Sequence, residues 1–142
     1  MPISSIYSKT IIIPESAIDE NGHVNNVVYV QWMQDIAVEH YAAIGGVEAQ
    51  GPDATWVVRE HKIEYLLPAF AGEEIEIKTW VEDIRRVRSL RKYEFVRKSD
   101  GKVLVRGETD WVFVDAKTGS PRAIPDNVTD VFAKTHLKHD LQ

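Results

Sequence analysis

Cysteine is absent from the chain, which excludes disulfides, a thiolate nucleophile and any metal site built on sulfur. No apolar run approaches the ~20 residues that a membrane-spanning helix requires. The first residues lack the basic segment leading into an apolar stretch that would mark a signal peptide, so the expected location is cytoplasmic. Positive charge is in deficit: 17 Lys and Arg face 22 Asp and Glu, a formal charge of -5. That balance argues against general nucleic-acid binding, although a local basic cluster can still hold a phosphate. Five histidines (His23, His40, His61, His136, His139) are spread along the chain without zinc-type spacing, so no metal and no cofactor is expected. Two of them, His136 and His139, fall in a C-terminal tail expected to be mobile. Internal repeats and low-complexity linkers are also missing. At 142 residues, of which 44% are hydrophobic, the chain reads as one domain over 1–142 with room for a real core.

Tyr7 to Ile13 has strand character and stops at Pro14, which cannot donate to a ladder. From Tyr29 the apolar spacing becomes helical: Tyr29, Trp32, Met33, Ile36, Ala37, Tyr41 and Ile44 recur at steps of three and four. Gln31, Gln34, Asp35 and Glu39 take the other side. Asn25 or Asn26 suits the N-cap and Gly45-Gly46 the C-terminal stop, giving a helix of about 18 residues and roughly 27 Å. It is the only long helix the pattern offers. Strands follow at Thr55 to Leu67, Glu74 to Asp83, Ser89 to Lys98 and Lys102 to Asp115, with Asp100-Gly101 as a hairpin turn between the last two. A short helix is expected after Asp126. One early strand, one long helix and a four-strand meander make an α+β fold, with about five antiparallel strands around the helix.

The densest chemistry lies just before the helix. Asp19, Asn21 and His23 stand at alternate positions, and Asn25, Asn26 and the helix start follow directly. A carboxylate, an amide, an imidazole and a helix N-terminus are the groups needed to attack a carbonyl and stabilise its oxyanion. Each also has a plainly structural use. Asp and Asn-Gly favour turns, Asn25 and Asn26 cap helices, and a histidine beside an apolar helix start commonly packs or hydrogen-bonds.

The segment Ile18-Asp19-Glu20-Asn21-Gly22-His23-Val24-Asn25-Asn26-Val27-Val28-Tyr29, with Trp32 after it, resembles the hydroxybenzoyl-CoA thioesterase-like branch of the hotdog superfamily. It is also similar to the plant acyl-ACP thioesterases, whose site carries Asp, Asn and His at this alternate spacing. Ile63 to Pro68 with Ala71 to Glu74, Arg88-Ser89, Val114-Asp115, Thr118-Gly119 and Ile124-Pro125 extend the likeness over about residues 5 to 126. The resemblance implies a hotdog fold, a curved antiparallel sheet wrapped around the long helix, and a homodimer or homotetramer with sites at the subunit interface. It implies hydrolysis of an acyl-CoA, or of an acyl-ACP, to a free acid and a thiol, in fatty-acid metabolism. Some branches place the essential carboxylate on the central helix. Here Asp35 and Glu39 read as its polar face, so Asp19 is the expected base or nucleophile.

On this reading Asn21 orients the water or Asp19, and His23 bonds the substrate or shuttles a proton, imidazole being the side chain that exchanges protons near neutral pH. Backbone N–H groups at Asn26 and Val27 face the oxyanion. Tyr29 borders the acyl pocket, while at least two of Tyr29, Trp32 and Tyr41 serve packing. The run Arg85-Arg86-Val87-Arg88, continued by Arg91 and Lys92, offers a clamp for the phosphates of coenzyme A or else a solvated strand face. Hydratases of the same fold space their Asp and His differently with a Pro between, and a binding-only hotdog protein would lack the carboxylate; both rank below hydrolysis.

Overall fold

The computed structural model describes residues 2–140, with side chains through residue 134. In chain order the elements are β1 (Tyr7–Ile12), a single 3-10 turn (Glu15–Ala17), α1 (Asn26–Ala43), α2 (Gly46–Gln50), β2 (Ala54–Tyr65), β3 (Glu74–Ile84), β4 (Arg88–Arg97), β5 (Val103–Asp115) and α3 (Asp126–Asp140). The five strands form one antiparallel sheet in the order β1-β3-β4-β5-β2. This is the hotdog arrangement that the resemblance implied.

Period-two burial decides which face meets the helix. In β3, Ile75, Ile77, Thr79 and Val81 are buried; in β4, Ser89, Arg91, Tyr93 and Phe95 are. Against them α1 sets Tyr29, Met33, Ile36, Ala37 and His40, all buried. Met33 seats over β5 at Gly107, where a Cβ would lie 3.0 Å from its sulfur and terminal methyl, so a glycine there lets helix and sheet approach closely.

The strand limits expected from sequence hold to within two residues. The helical account needs correction. After the Ile44 cap, Gly45 takes a left-handed φ of 86° and the chain re-enters a helix at once, giving α2. The short helix expected after Asp126 is instead 15 residues, so α1 is not the only long helix. Val128 and Phe132, one turn apart, anchor α3 in a second apolar cluster with Val81, Tyr41 and Trp56. The expected C-terminal tail is helical through Asp140, and the side chains of His136 and His139 lie outside those described. Among the described residues no helix is long and apolar enough to cross a membrane.

Gly46 carries the junction between α1 and α2. A Cβ built there would stand 2.2 Å from the Tyr41 ring, whose hydroxyl donates to Gln50 Oε1 at 2.9 Å. Gly46→Ala is therefore expected to displace Tyr41 and to destabilise the protein by about 1–3 kcal/mol, lowering Tm by roughly 3–10 °C. Calorimetry with the wild type as control checks it; an unchanged Tm would show that the ring yields freely.

Candidate functional site

The loop from Ile18 to Val24 is closed by its own backbone. Ile18 and Val24 form an antiparallel bridge, Asp19 N–H donates to His23 C=O at 3.1 Å, and Gly22 N–H donates to Asp19 C=O at 3.0 Å. Gly22 has a φ of 84°, the left-handed region that favours glycine. The loop is pinned to the body by Val24 N–H on Ala69 C=O and Asn25 N–H on Ala17 C=O, each at 2.9 Å. Asp19 Oδ1 accepts from Asn21 N–H at 2.9 Å, an Asx turn that orients the carboxylate. Oδ2 has no hydrogen-bond partner among the described residues. Asp19 and His23 are half-buried and Asn21 is exposed; the His23 Nδ1 lies 3.4 Å from Val24 C=O. The loop thus brings the three sequence-selected side chains into one short turn beside the start of α1.

The N-cap is Asn25, whose side-chain oxygen accepts from Val27 N–H at 2.9 Å. Val28 N–H bonds to Asn25 C=O at 3.0 Å. Asn26 N–H has no acceptor among the described residues, and the residue is exposed. Of the two donors expected, Val27 is therefore occupied by the cap and Asn26 is open. Tyr29, expected to border the acyl pocket, packs in the core cluster. It is buried with its ring 5.1 Å from Phe95, 5.6 Å from Trp32 and 5.8 Å from Tyr65. Burial, with smaller contributions from the Glu73 charge and Tyr65, pushes its phenol up to about 12. Tyr65 reaches back to the helix start, donating to Asn26 C=O at 3.2 Å.

The carboxylates on α1 are engaged elsewhere. Glu39 pairs with Lys9 at 2.8 Å, and Asp35 accepts from the Gln31 amide at 2.8 Å.

The basic run divides into three environments. Arg85 pairs with Asp83 at 2.7 Å, and Arg88 forks onto Asp110, its Nε 3.1 Å from Oδ1. Both border a hollow of about 400 Å³ that also holds Glu60 and Glu108, so carboxylates outnumber arginines there. Arg86 is exposed with no side-chain partner among the described residues. Arg91 does not belong to this surface: strand parity puts it on the opposite face, inside the protein.

There the structure holds a polar cluster that sequence reading missed. Arg91 is 4% exposed; its Nη1 donates to His40 Nδ1 at 2.8 Å and to Thr79 Oγ1 at 3.1 Å. His40 stacks on Tyr7, with ring centroids 5.1 Å apart. Burial first, and the Arg91 charge second, push the imidazole down to about 3, so it is neutral and accepts. Burial brings the guanidinium down to about 10, still charged at neutral pH. The parity of Arg91 with Ser89, Tyr93 and Phe95 was the available signal, as was the step of four from Ile36 to His40. Beside this cluster lies a cavity of about 320 Å³ between α1, α2, α3 and the sheet. None of the residues lining it comes from the Asp19 loop. Among the described residues no three His, Asp or Glu side chains converge as a metal would require.

Comparison with known proteins gives the same direction. The family model of the thioesterase-like superfamily matches residues 14–132. No curated protein sequence matches the chain. Solved structures do. Slr0204 of Synechocystis, a 1,4-dihydroxy-2-naphthoyl-CoA thioesterase, superposes with a TM-score of 0.79 at 14% identity, over 90% of this chain and 96% of that one. SAV2348 of Staphylococcus aureus, solved in complex with CoA, gives 0.84 at 17% identity, over 94% and 85%. The 12:0-ACP thioesterase of Umbellularia californica gives 0.82 at 18% identity, over 92% of this chain and 50% of that one. At such identities the likeness is one of fold.

Proposed function

Because the chain belongs to the thioesterase-like superfamily and its chemistry is thioester hydrolysis, we propose that it hydrolyses an acyl-CoA with Asp19 as the base. The observation that carries this reading is the Asp19 carboxylate, fixed through one oxygen by Asn21 N–H and open at the other, in a loop that runs directly into a helix N-terminus. Asp19 Oδ2 takes a proton as a water oxygen attacks the thioester carbon. The carbonyl oxygen becomes an oxyanion facing Asn26 N–H and the positive end of α1. Collapse of that intermediate breaks the C–S bond, and the departing thiolate takes a proton back from Asp19 or from His23. Direct attack by Asp19, giving an anhydride that water then opens, uses the same groups. Asn21 and His23 border the water and the leaving group. Val27 keeps the cap in place, and Tyr29 holds the first turn of α1 against Phe95 and Tyr65.

A second copy of the chain completes the unit. Support comes from β2, a 12-residue strand at the sheet edge whose outer side pairs with no strand among the described residues, and from exposed Val27, Val57, Tyr65, Leu66 and Phe70 on it and near it. Long open edges of this kind pair with another strand unless they are blocked. Sedimentation at micromolar concentration is expected to give a dimer or tetramer.

Thiol release from a panel of acyl-CoAs, short to long and aryl, tests the activity. Turnover of none of them, and of acyl-ACP instead, would move the carrier; turnover of neither would sink the hydrolytic reading. The phosphates of coenzyme A are assigned to Arg86, with Arg85 and Arg88 beside it. Replacing Arg86 and Arg88 by Gln is expected to raise KM for acyl-CoA about tenfold while a short phosphate-free thioester is hydrolysed as before. Equal loss on both substrates would remove the clamp.

A further inference from the structure

The cavity beside Arg91 has the composition of an acid-binding pocket. Its walls are largely apolar, from Val38, Val47, Trp56 and Trp111, and no lining residue is a carboxylate. Arg91 supplies the only formal charge among those lining residues, and both of its hydrogen bonds leave from Nη1 to neutral partners. A guanidinium has five N–H donors in a planar fork. Here Nε and Nη2 bond to no described residue, and no described carboxylate pairs with the group. The indole N–H groups of Trp56 and Trp111 lie near the Tyr41 and Tyr93 hydroxyls but are buried without an acceptor in hydrogen-bond geometry among the described residues. Among charged groups the lining residues therefore offer a cation and no anion. The Phe132 ring centroid lies 6.0 Å from the guanidinium carbon, but no described anion faces the group, and a buried cation without a counter-charge is costly.

We propose that this cavity binds the carboxylate of an otherwise apolar acid, with Arg91 as the anchoring group and Trp56 and Trp111 as walls. The carboxylate can arrive in two ways, as the far end of a dicarboxylic acyl thioester or as a free acid such as the product of hydrolysis. The pocket begins at Gln34, eight residues beyond Asn26, hence roughly 12 Å along the α1 axis from the open helix end. Binding itself does not depend on the hydrolytic reading; only the dicarboxylic arm rests on it.

The test uses the whole chain and its own tryptophans. Octanoate is titrated into wild type, Arg91→Met and Val38→Trp, with octanol as the uncharged control, and Trp fluorescence is read. Saturable octanoate binding is expected in the wild type, at least about tenfold weaker in Arg91→Met, with octanol binding unchanged by that substitution. Val38→Trp fills the mouth from an exposed position and is expected to lose both, which keeps the test decisive should Arg91→Met fail to fold. Octanoate binding that is absent in the wild type, or equal in wild type and folded Arg91→Met, or unchanged by Val38→Trp, overturns the proposal. The two sources are separated by the ratio of kcat/KM for hexadecanedioyl-CoA over hexadecanoyl-CoA, chains long enough to run from the helix start to Arg91, which bonds His40 fourteen residues beyond Asn26 and hence roughly 21 Å along α1. A ratio that falls about tenfold in Arg91→Met assigns the pocket to a distal carboxylate; an unchanged ratio with weakened octanoate binding assigns it to a free acid.

Discussion

Asp19→Asn is expected to lower kcat for acyl-CoA hydrolysis by about 100- to 10,000-fold with little change in KM or Tm. The substitution is isosteric. Its retained Oδ1 still accepts Asn21 N–H, so the Asx turn, and with it the approach to α1, is kept. What disappears is the proton acceptor at Oδ2. A loss confined to kcat is the mark of a group acting in the transition state. A loss of Tm together with activity would instead show a loop that serves only the fold. The two chemical routes also separate here. After a single turnover in 18O-labelled water, label in the Asp19 carboxylate marks an anhydride opened at the Asp19 carbon and hence direct attack, whereas a base leaves label in the acid product alone. Asn21→Ala is the matching control: the turn uses the Asn21 backbone rather than its side chain, so any loss reports on the amide alone. Should Asp19→Asn retain full activity, Asp35, Glu39 and Glu60 come next. Of these, Glu39 would first have to leave Lys9.

What could be read from the sequence, and what could not, follows from which signals are local. Strand limits and the start of α1 rest on alternation, turn residues and an Asn cap, all visible within a few residues, and they were read to within two residues. The Asp19 loop was equally visible, because its chemistry is concentrated in five consecutive positions. α3 was underestimated since Val128 and Phe132 are the only buried residues among its described side chains, set among Asp, Thr and Lys. α2 was missed because Gly45-Gly46 reads as a stop, whereas Gly45 merely turns the chain before the helix resumes. Whether Val27 N–H was free could not be read at all: that depends on which of two adjacent asparagines caps, and Asn25 does. The Arg91–His40 pair was hidden for a different reason. Charge runs direct attention to the surface, and Arg91 stood in one, so its strand parity was passed over.

That pair has a consequence for pH that separates it from the catalytic loop. Folded, His40 is held neutral by burial and by Arg91, with its pKa down at about 3 against 6.5 for an ordinary histidine. The unfolded chain takes up a proton below about pH 6.5, and the folded protein resists it, so the unfolded state binds more protons and stability falls as pH falls. Above pH 6.5 the contribution is fully present. Between pH 6.5 and 4.5 the slope approaches roughly 1.4 kcal/mol per pH unit and the loss is about 2 kcal/mol in all, before most carboxylates titrate. The groups facing the ring are Arg91 from β4, Tyr7 from β1 and Phe132 from α3, with Thr79 of β3 sharing the guanidinium. None of the other three offers a carboxylate to welcome a second charge. His40→Asn keeps an acceptor near Nδ1 for Arg91 but cannot titrate. It is expected to be less stable at pH 7 by about 1–3 kcal/mol, through the lost stacking on Tyr7 and the space left by the ring. Its urea midpoint should nevertheless stay nearly flat from pH 6.5 to 4.5, while that of the wild type falls. Asp100 and Asp115, whose hydrogen bonds to Arg97 and to the Thr118 and Lys117 backbone lower their pKa values, act at the acid end and in both proteins alike. Parallel slopes in the two proteins would mean that His40 takes up its proton in the fold, with Arg91 moving aside to let it.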